Sequence, residues 1–302
     1  MSDKSARADI VRCRSDMAEL LGEAVAMTGE LERWLYGAVG WPEESANADF
    51  GDDPVDAFRT ETALALRKAR IHSAAAIWAN KTNSLHSLAV QMRPVLECAG
   101  QVVFLFHNLI IAPDLEMPRE LDIEVVGARI DADHFHTLRR RTRGQVSAEE
   151  LLEVEAQAQE AAAAWAGAPR PIRRKKRRFT QEDKVKPLPR GPEWYGYLSE
   201  HFCHATAAEW KGLSYRGSVV STNQVEDELA FLKMMGYLAP TVALMNSAAA
   251  LCPGGFDANR QWKEWVEPTL AQLKRTRDLS KTLTDTAGMA VTGGVGGSNR
   301  TD

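Results

Sequence analysis

The chain has 302 residues, 44% hydrophobic and 26% charged, the balance of a soluble globular protein able to bury a substantial core as one large domain or two smaller ones. Cys13, Cys98, Cys203 and Cys252 form no Cys-x-x-Cys pair, which argues against a thiolate zinc site and for reduced thiols in a cytoplasmic protein. The net charge of −4 conceals segregation: residues 170–190 carry ten Lys/Arg against Glu182 and Asp183, so the remainder of the chain is strongly acidic.

The N-terminal "MSDKSARADIVRCRSD" is charged throughout and lacks the apolar stretch of a signal peptide. Residues 5–39 predict a first helix, with Ile10, Met17, Leu20, Leu21, Ala24, Leu31, Trp34 and Leu35 as its apolar stripe. After a loop, Asp53-Pro54 reads as an N-cap and first helical position, opening a helix to about residue 80. "NKTNS" interrupts it, and residues 84–111 form a third helix, apolar on most of its circumference. Residues 116–143 read as an amphipathic helix with basic residues in its last turn and Gly144 as its cap. Ser147 and Glu150 form a capping box for "AEELLEVEAQAQEAAAAWA".

Residues 167–192 hold five prolines and the densest basic run of the chain, and are read as a mobile loop. "WYGYLSEHFCHAT" (residues 194–206) follows as an aromatic helix. Asn223 and Glu226 cap a helix to residue 251, bent near Pro240. Its uncharged stretch, residues 234–252, includes Pro240, Asn246 and several alanines, which suits a buried core helix and not a lipid span. A last helix covers residues 259–283, and residues 286–302 are read as a disordered tail. The expected fold is therefore an all-α multi-helix bundle with a long basic loop, a single domain over residues 1–285, centred on the third helix and the helix from Asn223.

Four constellations carry chemistry. In "LHSLAVQMRPVLECAGQVVFLF", Arg93 and Glu97 lie one turn apart on a stripe with His86, Ala89, Gly100 and Phe104. That stripe is either the solvent face of the helix or a seam where Ala89 and Gly100 admit a neighbour beside an inward ion pair. In the aromatic motif, helical spacing puts Tyr197, His201 and His204 on one face, with Glu200 one turn before His204 and Ser199 and Cys203 on an adjacent strip. Histidine there serves acid/base chemistry, a metal, or a structural hydrogen bond. No oxyanion loop and no His-Glu-x-x-His motif accompanies it. A His/carboxylate metal site has only Glu97 and Glu200 as carboxylates, and no cofactor is called for. The basic residues 170–190 have the charge density to contact nucleic-acid phosphates, or serve as a solvated connector. Phe179, Trp194 and Tyr195 are their sparse aromatic neighbours.

Arg129 and His134 in "GARIDADHFH" resemble the Arg…His motif of HEPN-type ribonucleases, which implies metal-independent action on RNA; Ile130 stands where that motif has a polar residue. "LAVQMRPVLECAGQVVFLF" and "YGYLSEHFCHA" together resemble a bacterial all-helical family of unknown function that pairs an Arg-x-x-x-Glu helix with a later Leu-Ser…His helix. The likeness spans about residues 53–251 and implicates Arg93, Glu97, Ser199 and His204. It departs in one place: Cys203 holds the fourth position after the serine, and His204 comes next. The resemblance implies kinship with helical proteins of phage defence. Two function classes follow. One is a metal-independent, phosphate-directed or ribonuclease-like enzyme, with His204 as acid/base, Arg93 stabilising negative charge, and Tyr197 and Ser199 in support. The other is a non-catalytic module, whose polar network fixes helix register and whose basic loop binds nucleic acid or a partner.

Overall fold

A computed structural model describes residues 3–39, 53–113, 117, 144, 147–150, 152–153, 156, 180–203, 224–253 and 257–294. All regular structure among them is helical, as the sequence predicts. The order is α1 (Asp3–Val39), α2 (Pro54–Lys81), α3 (Leu85–Leu105), α4 (Gln181–Val185), α5 (Gly191–Leu198), α6 (Gln224–Ala250), α7 (Ala258–Gln261) and α8 (Glu267–Gly294). Wider π-helical turns extend α3 over Phe106–Ile111, extend α5 over Ser199–Cys203, and join α7 to α8 over Trp262–Val266.

The caps are those the side chains dictate. Asp53 accepts from the Val55 N–H at 2.8 Å, and Pro54 takes the first helical position. Asn83, in the left-handed region at φ 54°, lies in the three-residue turn between α2 and α3. Gly144 has φ 68°, and Ser147 Oγ accepts from the Glu150 N–H at 3.1 Å. The predicted helix over residues 116–143, with Arg129 and His134, lies otherwise outside the described residues.

The core is built from α1, α2, α3 and α6, with α8 packed on α6. On α1, Ile10, Met17, Leu21, Ala24, Leu31 and Leu35 are buried at alternating three- and four-residue steps, so one stripe meets α2 and α6. Leu20 and Trp34, also assigned to that stripe, are only part-buried. Two polar residues occupy stripe positions. Thr28 Oγ1 lies 2.8 Å from the Ala24 carbonyl and 2.9 Å from Asn246 Oδ1, while Asn246 Nδ2 donates to the same carbonyl at 2.9 Å. Arg14 is the other polar residue in the stripe. From Met234 onward α6 carries no charge and is buried on most sides, and its alanines and Gly236 let α1 and α8 come close. By length and composition α3 with its π turn and most of α6 are apolar enough to cross a membrane; in the bundle 50% and 67% of those windows are buried inside the protein.

Two boundaries differ from expectation. The last helix continues past residue 283 to Gly294, and residues 295–302 lie outside the described residues. The stretch read as a mobile loop over residues 167–192 is folded from Thr180 onward. Thr180 Oγ1 accepts from the Asp183 N–H at 3.1 Å while Asp183 Oδ2 accepts from the Thr180 N–H at 2.9 Å, a complete capping box for α4. Val185, Leu188 and Gly191 are buried at the corner that joins α4 to α5. Pro187, Pro189 and Pro192 stiffen a corner here, where the expectation made them part of a mobile loop. Tyr237 of α6 ties that corner down, its hydroxyl donating to the Pro189 carbonyl at 2.9 Å.

Candidate functional site

The polar stripe of α3 is covered. Residues 184–202 run down it in the opposite direction, and three contacts fix the register. A Cβ on Gly100 would lie 2.7 Å from the Lys184 carbonyl oxygen, so only glycine admits α4 there. Two turns earlier, Arg93 meets Tyr195. Two turns before that, His86 meets Phe202, with ring centroids 6.1 Å apart. The stripe is thus a seam and not a plain solvent face.

At its centre Arg93 Nε donates to Glu97 Oε1 at 3.2 Å, and Arg93 Nη2 donates to Tyr195 Oη at 3.0 Å. The guanidinium carbon also lies 4.9 Å from the centre of the Tyr195 ring. The pair is neither solvated nor sealed, with Arg93 and Glu97 side chains 25% and 22% exposed. An exposed one-turn pair contributes about 0.2–0.5 kcal/mol. The bond to Tyr195 adds the cross-helix restraint that this pair cannot supply. Arg93 is therefore oriented by two side chains from two helices, with part of its surface toward solvent.

The other assigned residues are placed differently. The Tyr197 ring meets Trp194 edge-on at 5.9 Å and Phe202 at 5.8 Å. Tyr195, noted in the sequence only as an aromatic neighbour, is the one that reaches the arginine. Tyr195 and Tyr197 are two residues apart, about 200° around a helix, so only one can face α3. Ser199 Oγ donates to the Tyr195 carbonyl at 2.7 Å, a back-bond within its own helix that occupies its proton. The turn Ser199–Cys203 is π-helical, so the regular spacing that put Tyr197, His201 and His204 on one face does not hold. His204 lies outside the described residues, as do the basic residues 170–178.

Among the described residues no group of three or more His, Cys, Asp or Glu side chains comes together to hold a metal ion. Cys98 and Cys252 are structural thiols, since burial pushes both up to about 12. Their ordinary value is 9.0, so the folded state keeps protons that the unfolded chain sheds, and stability falls as pH rises above 9. Under reducing conditions urea midpoints should fall as pH rises from about 9 toward 12, each thiol contributing a loss of at most about 1.4 kcal/mol per pH unit. The Cys98→Ala, Cys252→Ala double variant should flatten that fall, and an unchanged slope would contradict the assignment.

Sequence reasoning missed one polar centre. Arg14 of α1 donates through Nε to Asn80 Oδ1 at 2.7 Å, through Nη1 to Glu228 Oε2 at 2.6 Å, and through Nη2 to Asn83 Oδ1 at 2.7 Å and to the Asn80 carbonyl. Its guanidinium also stacks 3.9 Å over Phe231. This centre joins α1, the end of α2 and the start of α6. Its signal was an arginine at a stripe position, four residues after Ile10 and three before Met17.

Comparison with protein-family models, with characterised proteins and with solved structures finds no match to this chain.

Proposed function

We propose that this chain is a helical binding module for nucleic acid, using the basic residues 170–190 and Arg93 against phosphates. One observation carries the reading: the basic run leads in sequence directly into a helix docked on the α3 seam. The run Arg173, Arg174, Lys175, Lys176, Arg177, Arg178 stops two residues before Thr180, the cap of α4. α4 is seated on Gly100, one turn beyond Glu97. The six cations thus precede, in sequence, a helix docked on the same seam as Arg93, which Glu97 and Tyr195 orient. Such a run gives sequence-independent affinity through counterion release. The polar network holds helix register, and an intracellular nucleic acid is the natural partner.

A second reading keeps the same site as a metal-independent, ribonuclease-like enzyme, in which Arg93 stabilises phosphodiester charge and His204 is the acid/base. The π-helical turn Ser199–Cys203, which ends at the residue before His204, favours it, because such turns recur at functional sites. Its link to phage defence rests on the resemblance alone.

One experiment tests both. Labelled single-stranded RNA is titrated with protein between about 50 and 200 mM salt, and the same samples are then run on a denaturing gel. Affinity should fall with salt, and changing the six residues 173–178 to glutamine should make the log–log slope shallower by up to about 4. Salt-insensitive binding, or none, overturns the module. Cleavage lost in His204→Ala with binding intact would establish the enzyme; absent or unchanged cleavage would remove it.

A further inference from the structure

Beside Arg93 a row of rings crosses the surface from one helix to the next. His86, on the first turn of α3, faces Phe202. Phe202 meets Tyr197 at 5.8 Å, Tyr197 meets Trp194 at 5.9 Å, and Trp194 stacks on Tyr237 of α6 at 4.8 Å with an interplanar angle of 21°. A buried aromatic cluster would be core packing. Here His86 and Tyr197 are exposed, Tyr197 by 43%, and the remaining three rings are only part-buried. The row is also rigid, because Trp194 and Tyr237 anchor it and Tyr237 is bonded to the Pro189 carbonyl.

The surface around it carries both signs, with Glu193 and Glu200 exposed among its cations. Lys186 and Arg190 stand exposed on the same corner, each paired with a neighbouring carboxylate, Asp183 and Glu193. Exposed pairs of that kind contribute little and are readily exchanged for a phosphate. Six further cations lie just ahead of the corner in sequence. Arg93 is seven residues from His86 on the same face of α3, about 10 Å along the axis. Exposed rings flanked by cations match a strand whose bases are free to stack and whose phosphates need neutralising. A duplex hides its base faces and gains nothing from the rings.

We infer that the row from His86 to Tyr237 is a base-stacking platform, and that the occupant is single-stranded nucleic acid. Tyr197 and Phe202 take bases, and the corner and Arg93 take the phosphates between them. This rests on the nucleic-acid reading above and adds strand selectivity to it.

The test uses the full chain with labelled single-stranded RNA, a duplex of equal charge and an abasic strand of equal length. Tyr197→Ala should weaken binding to the single strand by about tenfold, leaving the salt slope and duplex affinity unchanged. Tyr197→Phe should bind like the parent, and Phe202→Leu, which keeps apolar bulk, should lose affinity as Tyr197→Ala does. The abasic strand should not distinguish parent from Tyr197→Ala. If Tyr197→Ala and Phe202→Leu bind the single strand as the parent does while salt-dependent binding persists, the platform is wrong and the basic-run reading stands. If the parent binds no strand at all, both fall.

Discussion

Arg14→Ala is expected to cost about 3–5 kcal/mol of folding stability, read as a lower denaturant midpoint with an unchanged m-value. The size follows from what is left behind. The Arg14 and Glu228 side chains are only 8% and 16% exposed, so removing the guanidinium strands a carboxylate where water reaches it poorly. Asn80 Oδ1 and Asn83 Oδ1 lose the guanidinium as donor in the same step, and the Asn80 carbonyl keeps only the backbone N–H groups of the following turn. For a domain near the lower end of the usual range of about 5–15 kcal/mol, that loss removes most of the margin against unfolding. Arg14→Lys should recover little, because one ammonium cannot reach acceptors on three sides or stack on Phe231 as a planar group does. A double variant, Arg14→Met with Glu228→Leu, should recover most of the loss, since a well-packed apolar pair often replaces a buried ion pair without cost. A loss below about 1 kcal/mol in Arg14→Ala would show that the centre is solvated and dispensable.

The same residue marks the limit of what the sequence discloses. Helix positions were legible because their causes are local: Asp53-Pro54 opens α2 and the periodic apolar residues of α1 declare its inner face. Arg14 sits inside that periodicity, and nothing local says whether an arginine there is buried or turned outward. Its partners are 66 to 214 residues away. The seam on α3 was half legible. Ala89 and Gly100 announced that a neighbour fits, but the neighbour came from a segment whose prolines and charge suggested mobility. Thr180 and Asp183 carried the contrary signal, a capping box within that segment. Of the assigned residues, Arg93 and Glu97 are joined. Ser199 is spent on its own helix, and Tyr197 faces the ring row. The choice of Tyr195 over Tyr197 depended on how α5 is rotated, which is set by the corner before it.

That corner decides the last expectation: Gly191→Ala should undock α4 and α5 from α3 and leave the rest of the bundle folded. A Cβ at this position would fall 2.0 Å from the Val185 carbonyl oxygen and 3.0 Å from Leu188 Cβ. The oxygen is backbone, held between α4 and the turn that follows, so no rotamer change relieves the clash. Overpacking of a soft core costs about 1–3 kcal/mol, and a backbone obstacle belongs at or above the top of that range. The strain falls on a corner that is itself peripheral, because α1, α2, α3 and α6 bury their faces mainly against one another. Hydrogen exchange should therefore quicken by more than about a hundredfold over residues 181–198 while the amides of α1 and α6 keep their protection. Arg93 would lose Tyr195, and Trp194 would lose its stack on Tyr237. The basic residues would all remain, so long-range attraction to phosphates should survive with the same salt slope. What should vanish is the preference for single strands over duplex. Loss of the slope together with the preference would mean instead that the corner itself gathers the charge. Unchanged exchange over residues 181–198 would mean that the corner opens enough to admit a methyl group, and that glycine is not what holds the seam closed.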